Sequence, residues 1–257
     1  MKDQAGADDR MKEHDVQTMN RYRELLQRAL QSGIYMYTPF HSPSGASLAF
    51  NVAEESRLRL WGGAEGCERV VIRFGDPEET GYEEDFPISL LKICPRQAKY
   101  ADNLDHRDFL GAILNLGLER DTVGDILIRD KEAYVFVLDT VAELIENDLE
   151  RVKHTPVFVS RVDEIPEGLF DMGNEKIITV PSLRLDAIIS KAFHISRSEA
   201  KALFNSEKVF INGRLCKNPE SQIHEDDVIS ARGFGRFTYS GESHSTRKGN
   251  LAVRIIN

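Results

Sequence analysis

The sequence is poor in the residues that build disulfide frameworks, zinc sites and membrane spans. It contains three cysteines in 257 residues, and Cys67, Cys94 and Cys216 lie far apart. This odd, dispersed set argues against a disulfide framework or a metal site and favours a reducing cytoplasm. No apolar run approaches the roughly 18 residues of a membrane span, and the first twenty residues are too polar for a secretory signal. We therefore expect a cytoplasmic protein that does not enter membranes.

The charge of the chain is acidic overall but unevenly distributed. The formal net charge is −9, from 33 Lys and Arg against 42 Asp and Glu. Residues 178–257 carry a local balance of +4, so that residues 1–177 carry −13. Taken as a whole, the acidic balance argues against a nucleic-acid partner, whereas the split is typical of a polyanion-binding module joined to an acidic body.

Length and turn signals predict three small domains of an α+β protein. A helix that begins near Met19 should end at Gly33, and a short helix and a hairpin should complete the first unit. We expect these segments: a flexible tail over 1–17, a small N-terminal α/β unit over 18–77, a ferredoxin-like domain over 78–165, a linker over 166–180 and a C-terminal module over 181–257.

The middle segment has the alternation of a ferredoxin-like fold. Apolar runs predict strands over 88–93, 126–128, 134–138 and 157–162. Asp105 can cap a helix after the first strand, and Thr140 to Glu143 has the pattern of a capping box for a second helix. The predicted order is therefore β-α-β-β-α-β.

That fold often binds RNA as the RNA-recognition motif, which stacks bases on exposed rings of its third strand. The best alignment with the motif's signature runs from Lys131 to Val137. Glu132 falls where a stacking ring is expected, and the glycine is missing. We therefore interpret Tyr134 and Phe136 as ordinary strand residues.

The C-terminal module combines two short helices with a small sheet. Ser182 can cap the first helix, Ser196 to Glu199 is a capping box for the second, and Asn212-Gly213 is a hairpin signal. Arg197 and Lys201 lie one turn apart on the second helix. A helix start beside cationic side chains can bind phosphate. The alternative is a solvated face whose charges pair with neighbouring acids.

A specific resemblance supports the first of these interpretations. It is carried by these motifs: Arg184-Leu185-Asp186, Ser196-Arg197, Ala200-Lys201, Val209-x-Ile211-Asn212-Gly213 and Asp226-Asp227. Residues 181–230 resemble the S4-type RNA-binding domain, a small αL motif that is found in a ribosomal protein and in several RNA enzymes. The resemblance implies RNA contacts from the following residues: Arg184, Ser196, Arg197, Lys201, Lys208, Asn212, Gly213, Arg214 and Lys217. Asp186 is expected to anchor structure, because a carboxylate would repel phosphate.

The segment that follows this motif interleaves basic and aromatic residues. Arg232 and Arg236 alternate with glycines, Phe234 and Phe237. Such spacing suits backbone neutralisation together with base stacking, so we add both arginines to the candidate RNA contacts. Packing of the two rings against the domain is an equal alternative.

The upstream segments carry a second distinctive pattern, HRDFLGAILNLGLERDTVGDIL over residues 106–127. On this pattern, and over about residues 19–240, the chain resembles the YlmH family of bacterial proteins, which are encoded near cell-division genes in Gram-positive bacteria. One departure is His41, where the family pattern implies leucine.

The resemblance to this family implies a ribosomal function. It implies a non-catalytic protein that binds rRNA of the large ribosomal subunit and peptidyl-tRNA, in contact with quality-control factors. There it would support C-terminal alanine tailing of stalled nascent chains. We expect neither a cofactor nor a metal, and a monomer when the protein is off the ribosome.

Two alternatives belong to other classes of function. Enzymes that modify RNA, pseudouridine synthases and methyltransferases among them, also carry S4-type domains. Arg184-Leu185-Asp186 could be taken for the catalytic Arg-Leu-Asp of a pseudouridine synthase. However, it opens the RNA-binding motif, and no glycine-rich loop typical of a methyltransferase follows a strand. The second alternative is an interaction protein linked to cell division.

Overall fold

The architecture of the chain is described by a computed structural model that covers residues 2–166, 169, 175–245 and 250–256. Helices and sheets both occur, as the predicted α+β class requires. The backbone divides into two units, residues 1–169 and 170–257. None of the helices in the described ranges is long and apolar enough to cross a membrane.

The first unit opens with a helix packed on a small sheet. Its elements are α1 (Lys2–Ser32), β1 (Met36–Tyr37), α2 (Pro43–Ser47), β2 (Leu58–Trp61), β3 (Val71–Phe74) and α3 (Pro77–Thr80). The three strands pair antiparallel in the order β1-β3-β2. Tyr22 and Leu25 of α1 pack on Ile72 and Phe74 of β3 in an apolar core. We call these elements the N-terminal layer.

Helix α1 begins far earlier than the apolar pattern predicts. Residues 2–17, expected to be a flexible tail, belong to this helix. The segment holds good helix formers such as Ala, Lys, Glu and Gln and no proline, although its few apolar residues gave no periodic signal. The end agrees with prediction, because Gly33 has φ +64° and its N–H donates to the Ala29 carbonyl at 2.9 Å.

The middle of the chain forms the predicted ferredoxin-like sheet. Its elements are β4 (Ile88–Pro95), α4 (His106–Leu114), β5 (Val123–Arg129), β6 (Glu132–Leu138), α5 (Asp139–Asp148), β7 (Arg151–Val152) and β8 (Thr155–Val162). The strand order is β5-β6-β4-β8-β7, and the paired strands are antiparallel. The β-α-β-β-α-β prediction is therefore confirmed, with the two-residue β7 as an addition.

The two helices of this sheet begin differently. Helix α4 starts with a capping box in which Asp105 and Asp108 exchange side-chain and backbone hydrogen bonds. The capping box predicted at Thr140 is absent, because strand β6 leads directly into α5 and Thr140 already lies inside the helix. The Asp139 carboxylate instead accepts a hydrogen bond from Ser89 Oγ at 2.5 Å.

The two faces of β6 pack against different partners. Ala133, Val135 and Val137 enter the core beneath α4 and α5. Phe136 points to the opposite face, which we call the outer face, and is only 1 % exposed. A Cβ at Gly63 of the N-terminal layer would lie 2.2 Å from the Phe136 ring, so that only glycine admits this contact. The N-terminal layer therefore covers one end of the outer face.

Polar contacts also join the N-terminal layer to the sheet. The Asp125 carboxylate accepts hydrogen bonds from the backbone N–H groups of Glu68 and Arg69. The Arg69 guanidinium donates to the carbonyls of Val123 at 3.1 Å and Phe40 at 2.8 Å. Burial lowers the pKa of Arg69 to about 10. The boundary predicted between residues 77 and 78 thus falls inside one unit.

The second unit is built on a six-stranded sheet. Its elements are β9 (Glu175–Val180), α6 (Leu185–Ala192), α7 (Arg197–Asn205), β10 (Val209–Ile211), β11 (Arg214–Leu215), β12 (Val228–Ala231), β13 (Gly235–Ser245) and β14 (Leu251–Ile256). The strand order is β11-β10-β12-β13-β14-β9, and both helices pack on it around Ile188, Leu203 and Ile229. Residues 167, 168 and 170–174 of the predicted linker over 166–180 lie outside the described residues, and its last six residues form β9.

His41 gives the N-terminal layer a dependence on pH. Its ring packs edge-on against Tyr22, with 5.4 Å between the centroids, and burial followed by the charge of Arg69 lowers its pKa to about 4. In the unfolded chain the pKa of His is near 6.5. The unfolded state therefore binds the proton first as the pH falls, and stability is lost progressively between these two values.

We expect His41→Leu to remove this loss. Between pH 7 and pH 5 the natural protein should lose about 1–2 kcal/mol more unfolding free energy than the variant, from the linkage of that pKa difference. Urea unfolding followed by circular dichroism at both pH values measures the difference. Equal losses in the two proteins would show that His41 is protonated alike in the folded and unfolded states.

Candidate nucleic-acid interface

A buried carboxylate joins the two helices of the second unit. Asp186, in the first turn of α6, is completely buried. Arg197 Nη2, at the start of α7, lies 2.8 Å from each of its oxygens, and Arg184 Nε lies 3.2 Å from Oδ1. The prediction that Asp186 anchors structure is consistent with this geometry, and we call the three residues the Asp186 cluster.

The electrostatics of the Asp186 cluster keep the carboxyl ionised. Burial alone would raise the pKa of Asp186, but the hydrogen bonds and charges of Arg197 and Arg184 outweigh it and lower that pKa. Arg184 also pairs with Glu220 at 2.6 Å. Both guanidinium groups are thus paired with carboxylates of the same domain. The side chain of Arg184 is nevertheless 35 % exposed and that of Arg197 46 % exposed.

The start of α7 carries the capping box that its sequence predicts. Ser196 Oγ accepts from the Glu199 N–H at 3.1 Å, and the Ser196 N–H donates to Glu199 Oε2 at 2.8 Å. These hydrogen bonds lower the pKa of Glu199. A charged carboxylate therefore already occupies part of the predicted phosphate site. The cap predicted for α6 does not form, since the N-cap position there is Arg184 rather than Ser182 and has no side-chain hydrogen bond.

The hairpin between β10 and β11 has the predicted turn. Asn212 and Gly213 adopt φ values of 50° and 76°, the positive angles of a tight two-residue hairpin. The Asn212 amide donates to Asp227 Oδ1 at 2.7 Å, and its oxygen accepts from the Val228 N–H at 2.8 Å. These bonds fix the hairpin to β12, so that the Asn212 side chain is used internally.

The remaining predicted contacts differ in how their charge is compensated. Lys201 on α7 and Lys208 before β10 are exposed, and no ion-pair partner is recorded for either among the described residues. Lys217 is exposed but pairs with Glu207 at 2.6 Å. The Arg232 N–H donates to the Lys208 carbonyl at 2.9 Å, which places these two residues side by side. Arg214 is also exposed, and Arg236 on β13 is half-buried.

The two phenylalanines after the S4-like motif behave differently. Phe237 is 1 % exposed and belongs to the core, whereas Phe234 is 46 % exposed. The Phe193 ring lies 5.6 Å from the Phe237 ring and 6.0 Å from the Phe234 ring. Phe237 therefore serves packing, and Phe234 keeps a surface available for contact.

The structure adds one basic residue to the candidate RNA contacts that the sequence analysis did not include. Lys191 is exposed in the last turn of α6, two residues before Phe193. Its neighbours Ile188, Ile189 and Ala192 are buried, so the helical period could have placed Lys191 on the solvent side.

Comparison with known protein families identifies the two domains. Residues 81–165 match the model described as "Putative RNA-binding domain in YlmH", and residues 183–229 match the S4 domain. The matches fall on the ferredoxin-like sheet and on the helices and hairpin of the second unit. The chain thus carries an S4 domain on the C-terminal side, along the sequence, of a second domain of RNA-binding type. Its ferredoxin-like domain is of the kind that this model describes in YlmH.

Individual proteins also resemble the chain. Over 203 residues, 76 % of each protein, the chain is 28 % identical to the ribosome-associated protein quality control protein P2 of Bacillus subtilis. It is 37 % identical over 51 residues to an uncharacterized RNA pseudouridine synthase of Aquifex aeolicus, which covers 20 % of this chain and 21 % of that protein. The solved cell division protein YlmH of Streptococcus pneumoniae is 24 % identical with a TM-score of 0.47, over 58 % of this chain and 91 % of that one.

We expect Asp186→Asn to destabilise the second unit. The change keeps the shape of the side chain but removes the charge that holds Arg184 and Arg197, at a cost of about 2–3 kcal/mol. Because folding lowers the pKa of Asp186, the difference in unfolding free energy between the two proteins should be complete at neutral pH. It should shrink as the pH falls below 4. Urea unfolding at pH 7 and pH 3.5 measures it. The control is Glu207→Gln, which breaks the exposed Lys217 pair and should change the midpoint little.

Proposed function

We propose that the chain binds rRNA of the large ribosomal subunit, together with peptidyl-tRNA, in ribosome-associated quality control. The observation that carries the proposal is the similarity to the Bacillus subtilis quality control protein P2, which spans three quarters of both chains, together with the two matched domains. In this role the protein supports alanine tailing of the stalled nascent chain without forming the peptide bonds itself. It works in the cytoplasm, as a monomer when it is off the ribosome.

The proposed RNA contacts lie on α7 and the neighbouring hairpin. Lys201 and Lys208 supply phosphate contacts, because both ammonium groups face solvent and no carboxylate partner is recorded for them among the described residues. Lys217, Arg214, Arg232 and Arg236 extend the same basic set. In the proposal, Arg184, Arg197, Ser196, Asn212 and Gly213 shape the surface, while the two arginines also offer their exposed edges to RNA.

The proposal assigns no catalytic step to the chain. The pseudouridine synthase that it resembles is matched over only about a fifth of either protein, a length close to that of the S4 domain. Asp186, the acid of the Arg-Leu-Asp motif, is fully buried and bonded to two arginines, so it is out of reach of a base. In the proposal, an S4 domain common to both proteins accounts for the similarity.

The test is co-sedimentation with large ribosomal subunits at rising salt. Lys201→Glu combined with Lys208→Glu should abolish or strongly reduce binding at physiological salt. With single Lys201→Gln and Lys208→Gln variants, each lost phosphate contact should flatten the log–log salt dependence by about one. Arg197 is unsuitable for charge reversal, because a glutamate there would face the buried Asp186.

The matched control is Lys176→Glu. Lys176 is an exposed lysine on β9, at the edge of the same sheet opposite to β11. It undergoes the same charge change as each lysine of the double variant but should leave sedimentation nearly unaltered. Undiminished binding by a folded Lys201/Lys208 double variant, or an equal loss with Lys176→Glu, would disprove these contacts.

A further inference from the structure

The outer face of the ferredoxin-like sheet carries an exposed aromatic ring, away from the end at which the N-terminal layer covers Phe136. Phe158 lies in the middle of β8, yet 58 % of its surface is exposed. Its neighbours Val157 and Val159 point into the core beneath the helices. Since side chains alternate along a strand, Phe158 stands on the outer face.

Strand β4 places polar residues beside this ring. Leu91 and Ile93 enter the core, so that Lys92 and Cys94 point to the outer face. Cys94 pairs with Phe158 across the strands, and Lys92 pairs with Ser160. These residues and Arg96 form what we call the aromatic–basic surface.

Arg96 is held next to the ring by both its backbone and its side chain. Its N–H donates to the Pro156 carbonyl at 2.9 Å, and its Nε donates to the Val157 carbonyl at 3.0 Å. The side chain is exposed. The Arg96 guanidinium is therefore bonded to the backbone of the residue that directly precedes Phe158.

The local charge differs in sign from that of the domain around it. Residues 81–165 contain 10 Lys and Arg against 18 Asp and Glu, whereas residues 86–101 contain three basic residues and no acid. Lys92 is compensated, since its ammonium lies 2.8 Å from Glu132. The available positive charge therefore comes from Arg96 and Lys99. Lys99 lies over the ring of Tyr100, which is 75 % exposed.

We propose that the aromatic–basic surface binds single-stranded RNA, with one base stacked on Phe158 and the adjoining phosphate bound by Arg96. A ring that is open on one face and fixed beside a guanidinium is the arrangement that such binding uses, because stacking tolerates any base and the cation holds the backbone. Glu132 occupies the position on β6 where an RNA-recognition motif places a ring. In this chain the ring stands two strands away, on β8.

The chemistry of the surface favours RNA over an apolar protein partner. A single ring is surrounded by Lys92, Arg96 and Ser160, which a dry protein interface would have to desolvate. RNA would instead supply phosphates and base edges to those groups. The choice of RNA as ligand rests on the proposed function, but the site is separate from the lysines of the S4 domain and can fail or succeed independently of them.

The test uses the full chain carrying Lys201→Glu and Lys208→Glu, so that binding through the S4 domain is removed. Fluorescence anisotropy with 5′-labelled ten-nucleotide A and U oligomers measures the remaining affinity. Phe158→Ala should weaken binding about tenfold, the loss expected for one base–aromatic stack. Phe158→Tyr should retain affinity, and Arg96→Gln should weaken binding and reduce the salt slope by about 0.7.

Two controls distinguish base stacking from apolar docking and from a loss of the fold. Leu144→Ala removes another exposed apolar side chain, 38 % exposed, from α5 on the helix side of the sheet, and should leave affinity unchanged. Circular dichroism checks that Phe158→Ala folds, as expected for a residue more than half exposed. Full affinity of Phe158→Leu would indicate apolar docking and overturn the proposal. No measurable RNA binding in the Lys201/Lys208 background, or equal binding by Phe158→Ala, would also overturn it.

Discussion

The RNA-binding unit depends on one buried negative charge. Asp186 has lost its water, so it must be compensated by cations, and the two guanidinium groups that compensate it come from the N-cap position of α6 and from the first residue of α7. The relative position of the two helices is therefore fixed at the end where the proposed RNA surface begins. Replacing a buried pair by apolar residues can be neutral in energy, whereas removing one partner is costly. Such a cluster constrains sequence strongly, because its members can change only together.

Internal hydrogen bonding also separates the residues that shape the proposed RNA surface from the residues proposed to contact RNA. Arg197, Ser196 and Asn212 lie in the S4 domain, but their polar groups are engaged with Asp186, Glu199 and Asp227. Lys201 and Lys208 contribute little to packing and are exposed. A motif derived from a family includes both kinds of residue, since both are needed for binding. Only the arrangement of hydrogen bonds tells which kind a given residue is.

Much of the fold could be predicted from local signals. The apolar runs of β6 and β8, the caps at Asp105 and Ser196 and the turn at Asn212-Gly213 all act within a few residues, and each is observed. The length of α1 was not predicted, because its first half has helix propensity but no apolar stripe. The start of α5 was not predicted, because strand β6 leads directly into this helix. The Asp186 cluster brings together residues eleven positions apart whose pairing no local pattern specifies. The cover of Phe136 by Gly63 likewise depends on tertiary packing. The exposure of Phe158 could not be predicted either, because Val157, Phe158 and Val159 are all apolar in the sequence.

The sheet of the second unit cannot be complete until its last strand, β14, has been synthesised. Strand β9, the first strand of this unit, pairs along its whole length with β14, which spans Leu251–Ile256, some seventy residues further on. During synthesis β9 emerges from the ribosome before its partner, and that edge of β9 stays unpaired until β14 has followed. Pairing over such a sequence separation is slow, and an unpaired strand edge is open to association with other chains. A protein proposed to assist stalled ribosomes thus itself completes the sheet of its S4-containing unit only after β14 has been translated.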